Sequence, residues 1–270
     1  MKIAFIGSGA MGGAMISALL RRGAAGPGDI HACDVDSTRL AAIEEEYQVS
    51  CTSDISSAIK DCDVVVLSVK PQNLAKVMSD LKGELNKGQL VLSIVAGAKI
   101  ETVSRGLGHD PVVRVMPNTP AQVGEGMSVW TATKAVSPEQ KDDVQTILRA
   151  MGKEIYVTDE KYIDMATAVS GSGPAYVFLI MEALIDAGVH IGLPRGVAEQ
   201  LVSQTVLGSA HMTRETGKHP AELKNSVTSP GGATAEGLLC LEDGGVRAIL
   251  AQAVIAAYEK AQLLGGKGNK

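Results

Sequence analysis

The stretch Ile3-Ala4-Phe5-Ile6-Gly7-Ser8-Gly9-Ala10-Met11-Gly12 decides how the first half of this chain folds. Four apolar residues in a row, stopped at once by glycine, read as a buried strand, and from Ala10 onward the apolar residues take helical spacing. A GxGxxG run at such a junction has a physical meaning. Gly7 allows the tight turn, Gly9 admits a pyrophosphate against the backbone, and Gly12 lets helix and strand pack closely. The run Gly7, Ser8, Gly9, Ala10, Met11, Gly12 is therefore read as a dinucleotide-binding turn, the alternative being a structural glycine turn alone.

Working outward, the same alternation continues. Strands are expected at Lys2–Ile6, Asp29–Cys33, Val64–Ser68, Leu90–Ile94 and Val112–Val115, with helices starting near Ala10, Ser37, Asp54, Pro71 and Lys99. Val64-Val65-Val66-Leu67 and Leu90-Val91-Leu92-Ser93-Ile94 lack polar alternation, as strands covered on both faces do. This predicts a doubly wound, Rossmann-type parallel sheet, closed by a helix over Pro138–Met151 and a strand over Glu154–Val157. From Tyr162 onward strand signals stop, and apolar residues recur at helical spacing over Ala175–Gly188, Val197–Met212 and Arg247–Leu264. The expected organisation is a dinucleotide-binding domain over residues 1–160 and an all-α domain over 161–270. Its helices are apolar on more than one face, which calls either for burial against a second copy or for tight packing within one chain. Gly265 to Lys270 read as a frayed tail.

Composition narrows the classes. With 270 residues, 45% of them hydrophobic, the chain can bury a substantial core. Thirty glycines against two Phe and one Trp fit closely packed helices and parallel strands rather than an aromatic-rich sandwich. A formal charge of −5 gives no basic footprint for nucleic acid. Cys33, Cys51, Cys62 and Cys240 lack CxxC spacing and a His partner, so they read as reduced thiols and no metal site is expected. No signal-peptide core follows Met1, and no stretch is expected to supply the roughly 18 apolar residues of a membrane span. A cytoplasmic enzyme is the expectation. None of the five histidines has a carboxylate or Ser at informative spacing, so all are read as packing or surface residues.

Chemistry-bearing positions cluster at strand ends. Asp34, closing the second strand, either accepts a ribose 2′-hydroxyl of NAD or serves as a turn or cap residue; Ser37, Thr38 and Arg39 in the next loop are the groups a 2′-phosphate would need. Val69-Lys70-Pro71 comes just after the run of valines, with Pro71 equally suited to starting a helix. Ala96-Gly97 comes after another strand and can approach a cofactor by backbone. Downstream, Ser229-Pro230-Gly231-Gly232 gives a tight turn ahead of a helix from Ala233 to Leu241, where Gly232, Ala233 and Thr234 would present free N–H groups able to hold a carboxylate.

That last block, with Leu223 upstream and Leu238, Leu241 and Glu242 downstream, resembles the signature of pyrroline-5-carboxylate reductases, which reduce a cyclic imine to proline. Val69-Lys70-Pro71, Arg114-Val115-Met116-Pro117-Asn118-Thr119-Pro120 and Ser170-Gly171-Ser172-Gly173-Pro174-Ala175-Tyr176 match the same family. The resemblance implies reduction of 1-pyrroline-5-carboxylate by NADPH (NADP), with NADH (NAD) as an alternative donor. It implies that Val69, Lys70 and Pro71 line the cofactor and that Asn118 lies near the nicotinamide carboxamide, although a rigid structural loop would look the same. It places Ser172, Ser229, Gly231, Gly232 and Ala233 around the substrate and the Thr234 hydroxyl at the ring nitrogen. It also implies interlocked dimers that assemble further, to decamers.

Three rivals share parts of this pattern. The β-hydroxyacid dehydrogenases combine GxGxMG with a helical second domain but continue their Gly-Ser-Gly block with a catalytic Lys, and Pro174–Ile180 contains none. A reductase of a six-membered cyclic imino acid differs only in pocket volume. A regulatory dinucleotide-binding protein without catalysis would show damage to Gly7–Gly12 or Ser229–Thr234, and neither block is damaged.

Overall fold

In the computed structural model, which describes residues 1–266, strand β1 (Ile3–Ile6) sits at the middle of the sheet. Its side chains alternate between faces, as a strand's must. Ile3 and Phe5 pack with Met15, Ile16 and Leu19 of helix α1 (Ala10–Arg21); Ala4 and Ile6 point to the opposite face, where Ile59, Leu74, Leu81 and Val103 lie. Two separate apolar cores therefore sandwich one sheet. This is why its strands read as uninterrupted apolar runs.

The remaining strands are β2 (Ile30–Cys33), β3 (Ser50–Thr52), β4 (Val64–Leu67), β5 (Leu90–Ser93), β6 (Val112–Met116), β7 (Gly126–Ala132) and β8 (Gly152–Tyr156). Helices α2 (Ser37–Tyr47), α3 (Ile55–Ile59), α4 (Leu74–Leu81), α5 (Ile100–Leu107) and α6 (Pro138–Met151) connect them. Spatial order is β3-β2-β1-β4-β5-β6-β7-β8. The order of connection reverses between β1 and β4, so their carboxyl ends flank the switch point where open α/β sheets bind ligands.

Two strands were not expected. β3 has only three residues, none of them part of an apolar run, and pairs with β2 at the sheet edge. β7 runs antiparallel to β6, because a connection of Pro117 to Glu125 is too short for a parallel crossover. The sheet is thus mixed, with parallel pairing everywhere else. Helix Pro138–Met151 has the expected bounds, starting with a capping box between Ser137 and Gln140.

The chain divides into two compact units. One comprises Met1–Ser172, which ends with helix α7 (Lys161–Ala166), together with the chain from Ala257 onward; the other is Gly173–Ala256. The second is wholly helical: α8 (Gly173–His190), α9 (Arg195–Thr216), α10 (Pro220–Ser226), α11 (Ala233–Asp243) and the first half of α12 (Val246–Gly266). α12 includes Gly265 and Gly266, so that part of the expected tail is helical; residues 267–270 lie outside the described residues. The expectation of no span-length apolar stretch is corrected as well. Helix runs continuously from α7 through α8, and Lys161–His190 is long and apolar enough to cross a membrane by length and composition. The sequence reading began this helix at Ala175 and did not join it to the stretch before, whereas helix already runs from Lys161 and passes through a π turn, Thr167–Gly171.

One buried cation ties α7 to the sheet. Arg114, in the middle of β6, is 3% exposed. Its Nη1 donates to Glu160 Oε1 and its Nη2 to Asp164 Oδ1, each at 2.7 Å. Glu160 Oε1 also accepts the Ile100 N–H at the start of α5, at 2.7 Å. Arg114→Met keeps the volume and removes the charge, leaving two carboxylates turned inward without a cation. Breaking such a pair costs about 3 kcal/mol; urea unfolding should show that loss, and an unchanged midpoint would make the cluster energetically idle.

Candidate active site

The glycine turn is built where the carboxyl ends of β1 and β4 meet. Gly7 has φ +95°, a conformation that favours glycine, and its N–H donates to Cys33 O at 2.7 Å. Ser68, the polar residue just after β4, donates its hydroxyl to the Gly7 carbonyl at 2.5 Å. A side chain at Gly12 would strike the Gly7 carbonyl and come within 3.1 Å of Ser68 Oγ. Gly9 is different: nothing stands within 4 Å of where its Cβ would be. Gly7 and Gly12 are thus glycine for packing, and Gly9 borders open space. The N–H groups of Ala10, Met11 and Gly12 begin α1 with no acceptor among the described residues. Free N–H groups beside a side-chain-free residue are what a diphosphate requires, so the residues present fit a dinucleotide.

Asp34 closes the same corner. Its Oδ2 accepts the Ser8 N–H at 2.8 Å and an Arg39 guanidinium N–H at 2.9 Å, and its Oδ1 accepts the Asp36 N–H at 3.1 Å. Burial raises the carboxyl's pKa, but the Ser8 and Asp36 N–H groups and then Arg39 outweigh it and hold the group below its usual value. Asp36, not Asp34, caps α2, accepting the Arg39 N–H at 3.1 Å. Arg39 also approaches Asp36 at 3.3 Å, so this one guanidinium stands between two carboxylates. Val35, between them, is 94% exposed, an apolar side chain left at the ligand edge of the sheet. Burial, with Asp34 beside it, pushes the Cys33 thiol up to about 11, which makes it unreactive.

The other expected positions fall at neighbouring strand ends. Val69 is half-buried, while Lys70 and Pro71 are exposed at the start of a 3-10 turn, so Pro71 does begin a helical segment. Ala96 is exposed; at Gly97 (φ +74°) a Cβ would meet Leu264 at 3.1 Å, so that side of the glycine is filled by the last turn of α12. Asn118 spends its amide on structure: Nδ2 donates to Ser170 O at 3.1 Å and Oδ1 accepts the Met127 N–H at 2.8 Å. Neither bond could be read from the sequence, since both partners lie beyond the loop. The histidines with resolved bonds are structural. His109 Nε2 pairs with Gln89 O at 2.7 Å, and His219 Nδ1 accepts the Ala221 N–H at 3.2 Å.

In the second unit, Ser229-Pro230-Gly231-Gly232 forms a turn with Pro second and Gly231 at φ +67° third, the type II pattern. The Gly232 N–H donates to Ser229 O at 3.1 Å and closes the turn. This corrects one expectation: of Gly232, Ala233 and Thr234, only the last two have N–H groups with no acceptor among the described residues. Both begin α11, and Ser229, Gly231, Ala233 and Thr234 are exposed. A helix start with two free N–H groups and one hydroxyl can seat a carboxylate and still reach an adjacent polar atom.

Residues 160–264 match a family model described as pyrroline-5-carboxylate reductase dimerisation, and residues 2–97 match one described as NADP oxidoreductase, coenzyme F420-dependent. A pyrroline-5-carboxylate reductase of Synechocystis sp. is 41% identical over 267 residues, covering 99% of this chain and 99% of the relative. The chain belongs to the pyrroline-5-carboxylate reductase family. Solved structures of the family agree in fold. The reductase of Coxiella burnetii superposes with TM-score 0.90 at 38% identity over 98% of this chain and 99% of that one. That of Plasmodium falciparum, solved with NADP bound, does so with TM-score 0.90 at 34% identity over 98% of each chain.

The two glycines give opposite predictions. Gly12→Ala drives a methyl into backbone and should cost about 2 kcal/mol of stability. Gly9→Val enters open space and changes only an N-cap, so it should cost at most about 1 kcal/mol while strongly weakening nicotinamide nucleotide binding. Urea unfolding reads the first effect and a nucleotide titration the second; undiminished affinity in Gly9→Val would remove this turn from the site.

Proposed function

We propose that this chain reduces 1-pyrroline-5-carboxylate to L-proline, the last step of proline biosynthesis, with NADPH or NADH as donor. The observation that carries this reading is the Ser229–Thr234 turn, which offers a carboxylate seat and a hydroxyl within one exposed helix start, in a chain that belongs to this reductase family along its whole length.

In the cofactor site we propose, Ser8, Gly9, Ala10, Met11 and Gly12 take the diphosphate, with Gly7 shaping the turn; Asp34 and Arg39 meet the ribose. Because these two share a bond, a ribose 2′-hydroxyl is served by the acid and a 2′-phosphate by the guanidinium of one ion pair. Val69, Lys70, Pro71, Ala96 and Gly97 complete the lining, with the Asn118 backbone beside them, its side-chain amide being bonded to Ser170 and Met127. Bound nicotinamide nucleotide supplies the hydride.

The chain's own work is to bind and orient the imine. Its carboxylate is assigned to the N–H groups of Ala233 and Thr234, with Ser229, Gly231 and Gly232 around it, and Ser172 is proposed as a further substrate residue. The Thr234 hydroxyl is assigned to the ring nitrogen. Hydride adds to the imine carbon while the nitrogen keeps or gains its proton, so a weak polar partner at nitrogen is enough, and positioning accounts for most of the rate.

We also infer self-association through the helical unit and a cytoplasmic location, where its four unpaired cysteines stay reduced. α8 has no buried residue, and Phe178, Leu179, Leu201, Leu207, Ile249 and Ile255 are each more than half exposed. A helical unit without a core of its own needs apolar cover. A second copy, rather than lipid, is the proposed cover, with decamers as the higher assembly. Light scattering of the purified chain without detergent should give a dimer or a multiple of it; a stable monomer, or a chain soluble only in detergent, would contradict this.

Thr234→Val keeps shape and removes the hydroxyl. Turnover on 1-pyrroline-5-carboxylate should fall by roughly 10²-fold, with nucleotide affinity and melting temperature near parent values, and Thr234→Ser should restore most of the rate. Full turnover in a folded Thr234→Val protein would exclude the hydroxyl from the reaction.

A further inference from the structure

The π turn Thr167–Gly171 stands immediately before Ser172, and Asn118 holds it. In this turn the Ser172 N–H reaches back five residues to Thr167 O, at 2.8 Å. An extra residue per turn puts the helical hydrogen-bond ladder out of step, and such turns persist only where their surroundings hold them. The holders here are specific. Thr167 Oγ1 donates to Ile163 O at 2.8 Å, Ser170 Oγ to Ala166 O at 3.1 Å, and Asn118 Nδ2 to Ser170 O at 3.1 Å. Gly171 leaves room for Met116, whose Cε would stand 2.7 Å from a Cβ there. Asn118 is in turn fixed by the Met127 N–H of β7. Of these holders, only Asn118 reaches the turn from the sheet with a hydrogen bond.

Geometry gives the turn a consequence. One inserted residue rotates the next part of the helix by about 100° relative to an uninterrupted α-helix. Ser172, the first residue past the insertion, therefore points where it does because the turn is π and not α.

We propose that Asn118 is a positioning residue for the imine: it locks the π turn against β7 and so sets the direction of Ser172. The inference rests on the proposed function, in which Ser172 touches the substrate. It differs from a role in holding the nicotinamide, because its effect passes through Ser172 and falls on the imine.

Asn118→Asp is the informative variant in the full chain. It is isosteric and keeps the acceptor for the Met127 N–H, but turns a carboxylate oxygen toward the Ser170 carbonyl in place of the donor. KM for 1-pyrroline-5-carboxylate should rise about tenfold, the loss of one positioned hydrogen bond, with kcat within about threefold and nucleotide Kd, from fluorescence titration, within about twofold. Ser172→Ala alone should also raise this KM, and Asn118→Asp added to it should contribute less than about twofold more, since the two act as one unit.

Several results would overturn the proposal. They are independent, multiplying effects in the double variant, a raised nucleotide Kd with unchanged imine KM, an inert Ser172→Ala, or parent-like kinetics in Asn118→Asp. A parent chain inactive on the imine would refute the proposed function and this inference together, whereas an active parent with an unaffected Asn118→Asp would refute the inference alone.

Discussion

A guanidinium enclosed by protein must be answered by acceptors in fixed places, and Arg114 is answered by two carboxylates from one short stretch of helix. That requirement fixes more than a local contact. Glu160 must stand where it meets both Arg114 and the start of α5, and Asp164 comes one turn later on α7. The helix that leaves the sheet is thereby oriented at its root. Just beyond Asp164 the π turn begins, and Asn118, from the loop after Arg114's own strand, donates to its Ser170 carbonyl. Strand β6 and its loop thus hold α7 and the π turn at two successive points, first by charge and then by an amide.

At the other side of β1, the constraint is steric and electrostatic together. Gly7 and Gly12 are forced by backbone approaching backbone, while Gly9 borders open space. Asp34 reaches into this turn to hold the Ser8 N–H and reaches out to hold Arg39. The ion pair is half exposed on the arginine side, so its contribution to stability is small. Its importance is positional. A carboxylate and a guanidinium locked to each other offer both an acceptor and a donor just past the carboxyl end of β2.

The helical unit presents the opposite physical situation. Its helices carry apolar residues outward, and α8 and α9 retain between them a single buried residue, Ala198. Such exposed apolar faces call for cover by another apolar surface. The same composition satisfies a hydropathy criterion for membrane insertion over Lys161–His190. Length and hydropathy cannot tell lipid from a second apolar helix surface, since both remove the same area from water.

What the sequence determined by itself was local or periodic. Uninterrupted apolar runs gave β1, β4 and β5, a helical pattern from Pro138 gave α6, and Gly-Gly after Ser-Pro gave the turn before α11, because each depends on residues within a few positions. The resemblance to a reductase family was legible for the same reason, as its blocks are contiguous. Tertiary structure decided whatever needed partners far apart in the chain. β3 and β7 exist because a neighbouring strand supplies their hydrogen bonds, Gly232's N–H is used up by a turn geometry that composition does not reveal, and Gly97 is covered by a residue from the far end of the chain. Arg114 could be quoted within a motif, but its burial against Glu160 and Asp164 could not, nor could Asn118's hold on Ser170. Sequence periodicity reports which faces avoid water; which polar group answers which is fixed only when the folded backbone brings them within about 3 Å.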